Sequence, residues 1–318
     1  MKSNQAGCLN FNHISDATLI IGLRWGRCLC FFFCAMVEGD ALKQDARVSD
    51  LSTLSRRSML RLGLAGAVSA LAASRVYGFR ASGKKGFCGA EELYSSRLGC
   101  NWYYNWSLEQ FRQVKAPFIP MVWGWHPGRT PAQLSRLSGR QPILFGFNEP
   151  DARNQANMSV PEALAAWPRI EDLADEIVSP SCVNSRGRWM TNFMLQADRR
   201  RLKIDSIGVH SYSAPNAEQV VERLEETYRL YGRPLWVTEI GVADWRAAEG
   251  RRPNRYKVDD TIRFLQEICA YMDGTPWIKG YSWLASGTFG DGKSLSTSAF
   301  FDGSGRPSPI FEAYARIQ

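Results

Sequence analysis

Two glutamates carry the chemistry this sequence offers. Glu149 closes the run Pro142-Ile143-Leu144-Phe145-Gly146-Phe147-Asn148-Glu149-Pro150, and Glu239 closes Pro234-Leu235-Trp236-Val237-Thr238-Glu239. Each acid sits at the C-terminal tip of a stretch that otherwise reads as a fully buried strand, where an unpaired carboxylate is strongly unfavourable. Two such acids on two strands, among many aromatics, are what cleavage of a glycosidic bond needs. With retention of configuration, a neutral carboxylic acid protonates the leaving oxygen while a carboxylate about 5–5.5 Å away attacks the anomeric carbon.

The neighbours of the two acids fit that chemistry. Asn148 can hydrogen-bond a sugar hydroxyl next to the cleaved bond. Pro150 favours an extended backbone at Glu149. The plainer reading of Asn-Glu-Pro is a turn with a surface acid. His210 and Tyr212, two residues apart on one strand face, reach toward Glu239, where an imidazole or phenol would orient the carboxylate. The plainer reading of His210 is a satisfied core histidine. Trp102, Tyr104, Trp106, Trp123, Trp125, Trp245 and Trp283 crowd the same region, and Trp102, Tyr104 and Trp106 share a strand face. Indole faces stack on the apolar C–H faces of pyranose rings, so those nearest strand ends are expected to line a groove and the deeper ones to form core.

Two other chemistries are set aside. Gly287-Thr288-Phe289-Gly290-Asp291-Gly292-Lys293-Ser294 satisfies the phosphate-loop pattern, but no helical period follows it, so it reads as a rim loop. The chain has three histidines, of which only His126 and His210 follow the N-terminal region, and no later cysteine pair has ligand spacing. Neither metal nor organic cofactor is expected.

The elements that must position the acids are continuous apolar runs, as parallel strands buried on both faces require. Eight candidates cover residues 85–90, 99–106, 118–125, 143–149, 177–182, 204–212, 235–242 and 278–285. Ser159-Val160-Pro161-Glu162 is a capping box that starts a helix running toward Asp175. Asn216 caps a helix closed by Gly232, a third helix runs from Tyr256 to Met272, and a fourth from Trp189 to Arg199. Shorter helical pieces lie near residues 108–114 and 131–137. Strand and helix alternating eight times predict an α/β (β/α)8 TIM barrel, with Glu149 ending the fourth strand and Glu239 the seventh. Both acids then face the C-terminal rim, where barrels hold their chemistry. The first strand is the weakest signal, and without it a doubly wound open sheet competes.

This barrel occupies residues 84–318 as one domain. Ahead of it, residues 55–83 hold Ser55-Arg56-Arg57-Ser58-Met59-Leu60-Arg61, an apolar stretch and small residues at Ala72, Ala73 and Ser74, the order of a twin-arginine export leader. Residues 1–54 extend that leader, and translation from Met36 would leave the first part unmade. Export favours a periplasmic or extracellular location. Cys88, Cys100, Cys182 and Cys269 remain after the leader, with a Cys88–Cys100 bridge and buried free thiols as equal alternatives. The net charge of +8 is scattered, with no basic stripe alternating with aromatics, which argues against nucleic acid as a partner. No run after the leader is long enough to insert stably in a membrane.

Gly99-Cys100-Asn101-Trp102-Tyr103-Tyr104-Asn105-Trp106, Phe118-Ile119-Pro120-Met121-Val122-Trp123-Gly124, Gly146-Phe147-Asn148-Glu149-Pro150-Asp151 and Trp236-Val237-Thr238-Glu239-Ile240-Gly241 recur in consistent order over residues 84–318. Together they resemble glycoside hydrolase family 128. The resemblance implies a clan A barrel, retaining hydrolysis, and β-1,3-glucan as substrate and partner; a monomer is expected. It assigns acid/base to Glu149, nucleophile to Glu239, and a sugar platform, with a non-proline cis peptide, to Trp283. His210-Ser211-Tyr212 and Ile240 depart from the more aromatic residues usual at those places, which leaves the preferred glucan open. Other β-glycans on the same barrel, or a glucan-binding protein without turnover, are the competing readings.

Overall fold

A computed structural model describes residues 83–89, 95–110, 114, 116–247, 252–284 and 286–317. The expected export leader, apart from Gly83, and everything upstream of it lie outside these residues. Seven strands are assigned: β1 (Lys85–Cys88), β2 (Trp102–Tyr104), β3 (Gln141–Phe145), β4 (Ala174–Val178), β5 (Ile207–Ser213), β6 (Leu235–Val242) and β7 (Ile278–Leu284). All pairings between them are parallel, in the orders β2-β1-β7-β6-β5 and β3-β4. Parallel bridges close the two open seams. Val178 meets Ser206 and Cys182 meets Val209, joining β4 to β5; Tyr103 meets Phe118 and Met121 meets Phe145, joining β2 to β3 through residues 118–121. That segment is the expected third strand. Pro120 has no N–H to give a ladder, so the strand is broken, but it is bonded on both sides, by Ile119 N–H to Tyr103 O (2.9 Å) and Phe145 N–H to Pro120 O (2.9 Å). Eight staves close on themselves, and the α/β fold is a TIM-barrel-like one.

Seven helices are assigned among the described residues: α1 (Ser95–Leu98), α2 (Thr130–Leu134), α3 (Val160–Ala166), α4 (Arg188–Arg200), α5 (Ala217–Tyr231), α6 (Val258–Gly274) and α7 (Pro309–Ala315). The capping box of α3 is formed: Ser159 accepts the Glu162 N–H, and Glu162 accepts the Ser159 N–H at 2.7 Å. The helix does not run to Asp175. Pro168 cannot continue the hydrogen-bond ladder, the chain tightens into two short 3-10 turns, and Asp175 lies in β4. Asn216 caps α5 through the Gln219 N–H, and Gly232 ends it with φ +62. The expected piece near 108–114 falls partly outside the described residues and is not helical over 108–110. α7 was not anticipated, although Ser308-Pro309 is a cap followed by proline in the first turn. No helix among the described residues is long and apolar enough to cross a membrane.

The period of two along each stave divides the core. Cys88, Trp102, Tyr104, Ile143, Phe145, Val178, Trp236 and Leu284 form the cluster inside the barrel, while Phe87, Tyr103, Leu144, Ile177, Val209, Val237 and Trp283 join the shell between strands and helices. Inside, Trp102 stands edge-on to Trp236 (5.1 Å between centroids) and to Phe145 (5.9 Å). Each such pair adds about 0.5–1.5 kcal/mol beyond its buried area. Two indoles fit so small a barrel because glycines face them. A Cβ on Gly86 would come within 2.2 Å of Trp102, and one on Gly280 within 2.3 Å of Trp236.

This geometry corrects two expectations and closes one open alternative. Trp283 points outward, because Ser282 and Leu284 take the inward positions of β7; it is fully buried and donates its indole N–H to Ser298 O (2.9 Å). It offers no face to a sugar, and no described peptide bond is cis. Trp102 is equally buried, at the barrel floor, with its N–H on Lys84 O (2.9 Å). Cys88 and Cys100 cannot bridge: Cys88 is in register with Tyr104, four residues beyond Cys100, or about 13 Å along the strand. The four described cysteines are free thiols. As expected, no helix follows Lys293 and Ser294; that loop instead caps the end of β6, with Asp244 N–H on Ser294 O (2.9 Å).

Candidate active site

Glu149 and Glu239 emerge at the C-terminal ends of the fourth and seventh staves, side by side. Oxygens of both carboxyls and a ring nitrogen of His210 all lie within 4.8 Å of one another. The His210 Nδ1 sits between the two acids, 2.8 Å from Glu149 Oε1 and 3.4 Å from Glu239 Oε2. Its place is set by a register shift. Val209 pairs with Val237, but His210 pairs with Glu239, so Thr238 is the extra residue of a bulge that brings the acid opposite the imidazole. Thr238 turns inward, its hydroxyl 3.2 Å from Ser181 Oγ.

The two acids differ in their surroundings. Glu239 is held by three donors. The Tyr104 hydroxyl (2.9 Å) and the Trp106 indole N–H (2.7 Å) meet Oε1, and the Tyr212 hydroxyl donates to Oε2. Such a set suits an ionised carboxylate, which only accepts. Both phenols stay protonated: burial raises the Tyr104 and Tyr212 hydroxyls well above the usual tyrosine range, and the negative charge of Glu239 adds to it. Glu149 has His210 as its side-chain partner and is the more open of the two, at 12% side-chain exposure against 7%. Burial disfavours the imidazolium of His210, but the charge of Glu239 and the hydrogen bond and charge of Glu149 outweigh it, so His210 titrates above the usual histidine value. Its Nε2 is buried without a partner.

The backbone at Glu149 is not extended. Its φ is +42, in the left-handed region. Pro150 excludes the right-handed helical region, and the chain must turn at the stave tip, where the Glu149 N–H bonds Ser181 O (2.7 Å) and its carbonyl accepts the Ala152 N–H (3.0 Å). Trp106 also has positive φ (+58). Strain of this kind, about 1–3 kcal/mol per residue, is typical of functional tips.

The remaining candidates take several places. Asn148 is buried, gives its amide N–H to Gln155 Oε1 (3.2 Å), and leaves Oδ1 without a partner. Gln155 is a residue the sequence reading did not single out. Trp106, Trp123 and Tyr212 are half-buried against the top of the barrel interior. Trp245 is 43% exposed and edge-on to Tyr212 (6.0 Å). Tyr104 was expected to meet sugar and, fully buried, instead holds Glu239; Trp106 also holds Glu239 and stays partly exposed. Their shared strand face was visible in the sequence, but not that closure of the barrel aims it at the seventh stave. Glu149, His210 and Glu239 also have the spacing to hold a metal ion, although the donors on Glu239 compete for the same lone pairs.

A sequence profile described as "Glycosyl hydrolase catalytic core" matches residues 86–314. The chain is 26% identical over 249 residues to Alkali-sensitive linkage protein 1 of Schizosaccharomyces pombe, an alignment covering 73% of this chain and 44% of that protein. The chain thus spans less than half the length of that relative. It is similar to a solved subgroup I endo-β-1,3-glucanase of glycoside hydrolase family 128 from Amycolatopsis mediterranei, in complex with laminaritriose, with a TM-score of 0.63 and 28% identity over 74% of this chain and 100% of that one. A subgroup V exo-β-1,3-glucanase of the same family, from Cryptococcus neoformans, shares the fold with a TM-score of 0.60 and 21% identity, over 74% and 99% of the two chains. The chain therefore belongs to the glycosyl hydrolase catalytic core family and is a member of glycoside hydrolase family 128.

Proposed function

We propose that this protein is an exported endo-β-1,3-glucanase that works by double displacement with retention, with Glu149 as acid/base and Glu239 as nucleophile. The observation that carries this reading is the asymmetry of the pair: oxygens within 4.8 Å, three neutral donors on Glu239, and one imidazole on the more open Glu149. The spacing agrees with the roughly 5–5.5 Å of retaining pairs. The substrate class comes from the endo-β-1,3-glucanase of the same family, and export from the twin-arginine pattern.

In the first step Glu149, hydrogen-bonded to His210, gives its proton to the glycosidic oxygen while a Glu239 oxygen attacks the anomeric carbon. The leaving sugar departs with that proton and a glycosyl ester remains on Glu239. Glu149, now a carboxylate, removes a proton from water. The resulting hydroxide attacks the same carbon, the ester bond breaks, and Glu239 recovers its charge among Tyr104, Trp106 and Tyr212. The unpartnered Asn148 Oδ1 is available to accept a hydroxyl of the sugar being cleaved.

Incubation with a ladder of β-1,3-linked oligosaccharides tests the reading, because the products report linkage, cleavage position and the number of sugars held. Internal cuts with retained configuration are expected. Release of single glucose units from one end would make the enzyme exo-acting, and binding without new reducing ends would remove the hydrolase claim. Glu239→Ala should lose turnover and regain part of it with azide, giving product of inverted configuration. Glu149→Ala should slow polymer cleavage by about 10²–10⁴-fold while sparing aryl glycosides with good leaving groups.

A further inference from the structure

A second concavity, of about 290 Å³, opens next to the catalytic pair, between the residues that follow β5 and β6 and one face of α5. Tyr212 belongs to both: its hydroxyl is on Glu239, and its ring meets the exposed Trp245 at the mouth of this concavity. What sets it apart is charge. Arg223, Arg246 and Arg255 line it against a single acid, Asp244. Asp244 is 2% exposed and already engaged, by Arg252 Nη2 at 3.1 Å, by the Arg255 backbone N–H at 3.1 Å and by Arg255 Nε at 3.8 Å. Its charge is therefore matched within the loop. Arg223 and Arg246 form no ion pair with any described residue.

A neutral sugar gives two guanidinium groups that form no ion pair among the described residues nothing to neutralise. Their planar forks match an oxyanion with two oxygens, and the exposed Trp245 indole in the same lining matches a pyranose ring. We infer that this concavity is a subsite for a glucosyl unit carrying an anionic substituent, a carboxylate or a phosphate ester, with Trp245 against the ring and Arg223 and Arg246 on the anion. It deepens the glucanase reading and rests on it for the sugar to which the anion is attached.

The test uses the Glu239→Ala protein, so that ligands are bound and not consumed, and titrates it with laminaripentaose, with the same sugar oxidised to the carboxylate at C6, and with its 6-phosphate. At low ionic strength the anionic sugars should bind about five- to tenfold more tightly than the neutral one, the scale of two partly exposed ion pairs. The advantage should shrink to about twofold or less in 0.5 M salt. Adding Arg223→Gln and Arg246→Gln should abolish it, and Arg246→Glu should turn it into a penalty. Comparison of the carboxylate with the phosphate identifies which oxyanion is preferred. Equal affinity for neutral and anionic sugars, or an advantage that survives the double substitution, would overturn the subsite and leave the glucanase reading intact. Failure of all three sugars to bind would overturn both.

Discussion

Tyr104 is fully buried and so has no access to substrate, yet its hydroxyl lies 2.9 Å from Glu239, the proposed nucleophile. Tyr104→Phe keeps the ring and removes one donor to Glu239. A hydrogen bond to a charged group contributes about 1.5–3 kcal/mol, which corresponds to about ten- to 150-fold in rate. The lower end is expected, because Trp106, Tyr212 and His210 remain on the carboxylate. The loss should fall on one step. During attack Glu239 gives up its negative charge, so a bond that favours the charge weakens along that step. During breakdown of the ester the charge returns, and the missing donor raises the barrier. The variant should therefore show kcat lowered about tenfold, KM lowered with it, and kcat/KM within about threefold of the parent. Stopped-flow release of dinitrophenolate from an aryl laminaribioside should show a burst equal to the enzyme concentration. The fold should survive, since Thr238 O, the other acceptor near this hydroxyl, keeps the Ser282 hydroxyl. A fall in kcat/KM as large as that in kcat, with no burst, would refute the reasoning and make Tyr104 a determinant of the first step.

Gly280→Ala would set a Cβ 2.3 Å from Trp236 and 3.1 Å from Trp102 Nε1, between two buried indoles with no room to yield. Tm should drop by roughly 5 °C or more, as overpacking predicts, and an unchanged Tm would show that the barrel floor is looser than described. His210 holds its proton more tightly in the folded chain than in the unfolded one. Its stabilising contribution is thus complete below about pH 6.5 and is lost as pH rises through the higher folded-state value. Thermal unfolding between about pH 6 and pH 9 should show a decline in the parent that is shallower in His210→Asn, and parallel profiles would exclude this linkage. Cys182 and Cys269 are fully buried and burial holds their thiols well above the usual cysteine range. Iodoacetamide at about pH 8 should leave both unmodified until denaturant is added, whereas labelling of the native protein would point to local opening.

Much of this architecture was legible because parallel strands buried on both faces cannot be disguised: β6 is buried at every position, and its eight residues match the expected run in full. The third stave was legible as an apolar run, but its proline breaks the ladder that defines a strand. Trp283 shows the limit. The family resemblance makes it a sugar platform, and only the phase of β7 turns it outward. A single-residue difference in phase decides whether an aromatic reads as site or core, and continuous apolar runs carry no phase. Trp106 and Tyr104 were recognised as rim aromatics for the right reason, a shared strand face, but their bonds to Glu239 were missed, because that partner lies across the barrel in a distant part of the chain.

The same argument explains why the bulge at Thr238 matters more than any one donor. With unbroken pairing, the residue opposite His210 would be Thr238, and the period of two would carry Glu239 to the other face. The extra residue lets Thr238 and Glu239 both serve the interior, one bonded to Ser181 and the other to the three donors. The strain at the opposite acid is of the same kind. Glu149 reaches its place only by leaving the extended backbone, with φ +42. Each acid is thus presented by a local departure from regular strand geometry, at a stave tip where few ladder bonds are lost by it. Regular strands alone would have built the barrel and left the two carboxylates without a common neighbour. The departures bring both carboxylates to one imidazole, that of His210.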